Sequence, residues 1–177
     1  MKILLACEGQ SEVYLLNSLI KRGYLSFDSP LLLDEPIKLR QLVEIAPIIN
    51  SLPIDEDIIV YRIGDTLKDT LSLSKFSMRS KHIKSYKVCT KTEVEILVII
   101  NEGFYSEYIK KSKKVKPKSF VNEILKNFNL ENYFAEHDMI NALREYKRIK
   151  KHNKDEMYLI DLIDIKINAF IISCSAK

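Results

Sequence analysis

The chain of 177 residues is poor in residues that interrupt or cross-link a fold. It has four glycines, five prolines, three cysteines and no tryptophan, which leaves little room for long irregular segments. The three cysteines form neither a disulfide framework nor a zinc pattern, and we expect Cys7 and Cys89 to pack in the core. No apolar run approaches the roughly 20 residues that span a bilayer, and no signal peptide is visible. We therefore expect a cytoplasmic protein without membrane contact.

Charge is distributed unevenly along the chain. Residues 1–100 carry 13 basic and 13 acidic side chains, whereas residues 110–154 carry 13 basic and 5 acidic ones. Such a basic region attracts polyanions and speeds encounter with nucleic acid, although a solvated lysine-rich face would have the same composition. We predict an α/β core over residues 1–103 and a helical basic extension over residues 104–177 that packs on it.

The first hundred residues alternate between strand-like and helix-like patterns. This alternation is typical of a mostly parallel sheet flanked by crossover helices, here with four strands. The segment 155–172 fits a helix in its first part and a strand in its second, so both remain open. The predicted strands cover residues 2–8, 31–33, 58–61 and 85–89, and the predicted helices of this half cover 11–22 and 36–50.

The start of the chain places a carboxylate at the end of a buried strand. The apolar run Ile3–Cys7 leads into Glu8, Gly9 allows a sharp turn, and Ser11 can cap the helix that follows. Ligands and catalytic groups collect at the carboxyl ends of strands in open α/β sheets. A carboxylate there suits binding a metal ion or moving a proton.

The residues Glu8-Gly9-Gln10-Ser11-Glu12 resemble the first motif of the TOPRIM fold. They are most similar to the E-G-x-[ST]-E of its compact nuclease branch, which includes OLD-type and RloB/AriB-like phage-defence proteins. The resemblance implies a TOPRIM-like sheet and a nuclease dependent on Mg²⁺ or Mn²⁺ that cleaves DNA or RNA, with a role in anti-phage defence. It also implies that Glu8 is a metal ligand or a general acid/base.

The second motif of that family is Asp-x-Asp at the end of a later strand, and here it is altered. Asp65 occupies the first position, but Leu67 stands where the second aspartate belongs. Asp69 can supply another carboxylate if the segment coils, because residues four apart share one side of a helix. Glu8, Asp65 and Asp69 are then the predicted metal ligands. Alternatively Asp65 caps a helix, Asp69 is a surface residue, and the protein is an inactive nucleic-acid-binding or regulatory subunit working with a partner.

A further acidic candidate follows the fourth predicted strand. Thr92 and Glu95 have the spacing of a capping box, which accounts for Glu95 structurally. In the RloB-like nucleases an acid-bearing helix leans over the site at this point. The resemblance therefore implies that Glu93 or Glu95 joins the carboxylate cluster, with Glu95 as the predicted catalytic residue.

The second half reads as helical and basic, with helices expected from Lys118 or Ser119 to Phe128 and after a capping Asp138. Six lysines lie within residues 110–118, and Pro117 is expected to stop any helix there. Expected partners are nucleic acid, including tRNA, and either a partner ATPase or a second copy of the chain. Alternatively Glu145 and nearby acids neutralise the later basic face. The predicted nucleic-acid contacts are Lys110, Lys111, Lys113, Lys114, Arg144, Lys147, Arg148 and Lys151.

Overall fold

The protein forms a parallel β-sheet with helices on both faces. The computed structural model describes residues 1–25, 27, 29–39, 42–64, 80–90, 93–150 and 157–164. The strands, all parallel, are β1 (Lys2–Cys7), β2 (Ile37–Lys38), β3 (Ile58–Gly64), β4 (Ile83–Cys89) and β5 (Met157–Tyr158), in the order β2-β1-β3-β4-β5.

The α/β class and the parallel sheet confirm the prediction, but the sheet has five strands rather than four. The fifth, β5, pairs with the end of β4, where Tyr158 lies beside Cys89. It falls in the segment that periodicity left ambiguous, because two residues are too few to establish a period.

Eight α-helices lie in the described part of the chain. None of them is long and apolar enough to cross a membrane. The helices are α1 (Gln10–Lys21), α2 (Ala46–Asn50), α3 (Glu95–Asn101), α4 (Tyr105–Lys111), α5 (Pro117–Ile124), α6 (Leu130–Glu136), α7 (Ile140–Ile149) and α8 (Asp161–Asp164).

The predicted helix over 36–50 is wrong in its first part. Ile37 and Lys38 pair with the end of β1 as β2, and only Ala46–Asn50 forms an α-helix, after a short 3-10 turn. The pairing with β1, rather than a period within the segment, defines this strand. The predicted strand 31–33 is a 3-10 turn, Ser29–Leu31, followed by a single parallel bridge to β1.

Several helix starts differ from the prediction. Helix α1 is capped by the backbone of Gly9, so Ser11 is its second residue and not its cap. Pro117 is the first residue of α5, a position that needs no N–H donor, rather than a stop signal. The N-cap of α7 is Met139 rather than the predicted Asp138, although Asp138 accepts a hydrogen bond from the Ile140 N–H at 2.9 Å.

The two faces of the sheet carry cores of different size. On one face, α1 and the helices α3 to α7 contribute to a large apolar core that includes Leu15, Phe120 and Phe134. On the other face, Ile45 and Ile49 cover Leu4 and Val60 in a small core. Helix α6 is fixed to α1 because Ser18 Oγ and Arg22 Nη2 donate to backbone carbonyls of α6.

We predict that the second half of the chain is integral to the main core. Tyr158 is buried and lies edge-on to Tyr146. Tyr158→Ala should lower the free energy of unfolding in urea by about 3–5 kcal/mol, as large-to-small changes of buried aromatics do. Ile54→Ala, at an exposed site, is the matched control and should change it by no more than about 0.5 kcal/mol. Equal stability of both variants would contradict an integral second half.

Candidate active site

The strand order creates a topological switch point between β1 and β3. The chain leaves β1 toward β2 on one side of it and returns to β3 on the other. In open α/β sheets, ligands bind in the crevice outside the carboxyl ends of the strands at such a point. Here those ends are Cys7 and Gly64, and the residue after Cys7 is Glu8.

Glu8 lies against Gly64 across this switch point. The Glu8 N–H donates to the Ile63 carbonyl at 2.8 Å, which continues the β1–β3 ladder by one residue. A Cβ added to Gly64 would lie 2.7 Å from the Glu8 Cβ and would also clash with Glu8 Oε2. Real Cβ atoms do not approach so closely, so the space taken by the Glu8 side chain depends on a glycine at position 64.

Glu12 is a second carboxylate at this edge, and it is not among the predicted site residues although it ends the Glu8–Glu12 motif. It is buried in the first turn of α1. Thr90 Oγ1 donates to Glu12 Oε1 at 3.5 Å, and the Thr90 N–H donates to the Gly64 carbonyl at 3.0 Å. Thr90 therefore connects the ends of β3 and β4 to the start of α1.

The charge of Glu12 affects the pKa of Cys7. Burial raises the pKa of the Cys7 thiol, Glu12 raises it further, and the Arg62 guanidinium lowers it. The net direction is upward, so the thiol stays protonated. This agrees with the expected role of Cys7 in core packing.

Arg62 is a buried cation that sequence analysis missed. It lies on β3 opposite Ala6, and Arg62 Nη1 donates to the Leu39 carbonyl at 2.8 Å. Because side chains alternate along a strand, Arg62 and Gly64 share a face, and the Glu8 side chain packs against Gly64. The signal available in the sequence was a lone arginine inside an otherwise apolar strand.

Glu95 is the first residue of α3 and is 8% exposed. The N-cap is Val94, so Glu95 does not occupy the third position that the predicted capping box requires, and Thr92 lies outside the described residues. Burial raises the pKa of Glu95 and Glu93 adds to this, while a backbone hydrogen bond and the charge of Lys118 lower it. The net direction is upward, which suits a group that carries a proton.

Glu93 connects this edge of the sheet to the lysine-rich segment. Its Oε2 accepts a hydrogen bond from the Lys118 N–H at 3.2 Å, in the first turn of α5. The lysine-rich segment therefore ends beside the residues that follow β4. The charge of Lys118, the last lysine of this segment, also lowers the pKa of the buried Glu95.

The side chains predicted to contact nucleic acid differ in their exposure and in whether an acidic side chain pairs with them. Lys110, Lys111, Lys113 and Lys114 are all exposed, as is Arg144. On α7, Lys147 pairs with Asp161 and Arg148 pairs with Glu145, so acids neutralise part of this face, as in the alternative interpretation of the sequence. Lys151 lies outside the described residues.

The predicted metal ligands are divided between described and undescribed parts of the chain. Glu8 is placed at the switch point, and Asp65 and Asp69 lie outside the described residues. Within the described ranges, no group of three or more acidic, histidine or cysteine side chains is close enough to hold a metal ion. Asp65 is nevertheless the residue directly after Gly64, the glycine that Glu8 contacts.

We predict that the buried carboxylate of Glu95 costs stability at neutral pH. A carboxyl whose pKa is raised in the folded state stabilises the fold below its unfolded pKa, and this stability is lost as pH rises through the folded pKa. Glu95→Gln should therefore raise the Tm at pH 7, and a rise of 2–4 °C would correspond to about 1 kcal/mol. The gain should shrink toward pH 4. A lower Tm for Glu95→Gln than for the wild type at pH 7 would contradict this prediction. Glu123→Gln, at an exposed site, is the control.

Comparison of the chain with protein-family models, with curated proteins and with solved structures found no match. The resemblance to TOPRIM nucleases therefore rests on the motif at residues 8–12. Any function for this chain has to be argued from its own residues.

Proposed function

We propose that this protein is a metal-dependent nuclease of the TOPRIM type with its site at the switch point between β1 and β3. The observation that carries the proposal is the Glu8 carboxylate packed against Gly64, directly before Asp65. The pairing of β1 with β3 brings Glu8 beside Gly64, and Asp65 is the next residue in the sequence. Two further buried carboxylates, Glu12 and Glu95, belong to the first turns of the helices that follow β1 and β4.

The chemistry of this donor set fits Mg²⁺ or Mn²⁺. Both ions take hard oxygen ligands, and Mg²⁺ usually keeps several waters and binds one or two protein carboxylates. Glu8 and Asp65 would hold such an ion, with Asp69 as a further ligand. When bound, the ion supplies an activated water and charge stabilisation at the scissile phosphate.

The remaining residues supply proton transfer and substrate binding. Glu95, whose pKa is raised by burial, is suited to donate a proton to the leaving oxygen of a phosphodiester. The exposed lysines of residues 110–114 would contact phosphates as point charges without reading base sequence. Because Lys118 adjoins Glu93, phosphates held by this segment would lie on the side of the molecule that carries Glu95.

Leu67 favours a second candidate function. It replaces one carboxylate of the Asp-x-Asp motif, and a site that has lost a ligand can lose metal binding while its fold persists. In this case the protein is a TOPRIM-like nucleic-acid-binding or regulatory subunit. It would bind polynucleotides with a steep dependence on salt but would not cleave them.

We predict metal-dependent cleavage that requires Glu8. Purified chain is incubated with plasmid DNA, single-stranded DNA and total tRNA in Mg²⁺, Mn²⁺ or EDTA. Cleavage of at least one substrate should require metal, and Glu8→Gln should lower its rate at least about 100-fold, because loss of a metal ligand or acid/base group has effects of this size. Glu123→Gln, on the exposed side of α5, is the control and should cleave normally.

Binding without cleavage, whichever metal is present, would reject the nuclease and favour the inactive subunit. Cleavage that survives Glu8→Gln would place the site elsewhere.

A further inference from the structure

Helix α4 and the residue before it carry large apolar side chains that the core does not cover. Phe104 is 38% exposed and Ile109 is 49% exposed, whereas Tyr108 between them is buried. Ile109 lies one helical turn after the half-buried Tyr105, so these two share a face. Phe104 directly precedes Tyr105 at the N-cap of α4. Exposed apolar side chains close together are typical of contact sites.

This apolar face adjoins the lysine-rich segment. Lys110, Lys113 and Lys114 are exposed, and residues 110–118 contain no acidic residue. Lys111 is different, because its ammonium pairs with Glu107 at 3.1 Å and lies 5.3 Å from the centre of the Phe120 ring. The other lysines therefore provide the positive charge that borders Ile109.

Helix α7 carries both acidic and basic side chains. Burial raises the pKa of Tyr105, and the negative charge of Glu145 on α7 adds to this. Glu145 accepts two hydrogen bonds from Arg148, at 2.6 and 2.7 Å. Arg144, one turn earlier on α7, is exposed.

We propose that Phe104, Tyr105 and Ile109, with Lys110, Lys113 and Lys114, form a binding surface for single-stranded polynucleotide. We call these six residues the α4 surface. The apolar side chains would contact unpaired bases and the lysines would contact phosphates, which is the combination that single-strand-binding proteins use. This inference rests on the proposed function and extends it by naming single-stranded polynucleotide as the substrate class.

A single strand fits this surface better than a duplex does. Lysines alone bind any polyanion, with an affinity set by phosphate density and salt. In a duplex the faces of the bases are stacked and its surface offers mainly phosphates and groove edges, so Phe104 and Ile109 would be left in contact with polar groups. Unpaired bases cover these side chains.

The test measures fluorescence anisotropy of labelled 20-nucleotide dT and rU strands and of a 20-base-pair duplex at several salt concentrations. The full chain is used with Glu8→Gln so that no strand is cleaved. At least one single strand should bind at least 10-fold more tightly than the duplex. Phe104→Ser and Ile109→Ser should each weaken it 5-fold or more with an unchanged salt slope, and Lys110→Gln/Lys113→Gln should flatten that slope. Ile54→Ser is the matched control, because Ile54 is also exposed, at 57%, and lies before β3.

The proposal for the α4 surface would be overturned if single strands and duplex bind with equal affinity, or if both serine variants keep full affinity. Either result would indicate a basic patch that binds any polyanion. Absence of binding, or self-association abolished by Ile109→Ser, would overturn the proposal as well. These results are independent of the cleavage assay, because single-strand binding can hold while cleavage fails. Circular dichroism confirms that each variant is folded.

Discussion

The packing of Glu8 against Gly64 places a carboxylate at the switch point between β1 and β3, and the proposed chemistry depends on this carboxylate. Strands β1 and β3 are buried on both faces, as parallel strands in α/β proteins are, so polar groups other than Arg62 gather where the strands end. Glu8 is the first residue beyond β1, and its side chain takes the space that a side chain at position 64 would fill. The switch point thus receives a carboxylate because of sheet register and one glycine, rather than because of a loop.

Three charged side chains near this edge of the sheet are buried, and their burial needs an explanation. Glu12, Arg62 and Glu95 are each less than 9% exposed, although burying an ionised group costs free energy unless other groups compensate. Arg62 is partly compensated by the Leu39 carbonyl and Glu12 by Thr90. The raised pKa of Glu95 shows that its compensation is incomplete. Titratable groups with a perturbed pKa, such as Glu95, cluster at functional sites. Glu12 lies in the first turn of the helix after β1, Arg62 lies on β3, and Glu95 begins the first helix after β4.

The sequence predicted those parts of the fold whose signal is local. The apolar runs of β1 and β3 predict these two strands, and the helix predicted over 11–22 agrees with α1 to within one residue at each end. Strands β2 and β5 have two residues each, so they exist only through pairing with β1 and β4, and no period within the chain could reveal them. For the same reason, the pattern over 36–50 was misread as one continuous helix.

The residues of the candidate site also divide into those with a local signal in the sequence and those without one. Glu8 was identifiable because it directly follows an apolar run, and Glu95 was a candidate through the resemblance to nucleases that carry an acid-bearing helix at this point. Gly64 and Arg62 were missed because their importance depends on which residues of β1 lie opposite them, which is set by register between strands. The pairing of Lys147 with Asp161 was equally invisible, since it joins α7 to the segment after β5.

The central claim is that Glu8 at the switch point is a metal-binding carboxylate, and Mn²⁺ binding measured by electron paramagnetic resonance tests it most directly. The account predicts that the wild-type chain removes free Mn²⁺ signal with one site per chain, and that Glu8→Gln abolishes this site while the exposed control Glu123→Gln retains it. Gly64→Ala should also weaken binding, because the added Cβ displaces the Glu8 side chain. Equal Mn²⁺ binding by wild type and Glu8→Gln, or none by the folded wild type, would contradict the account.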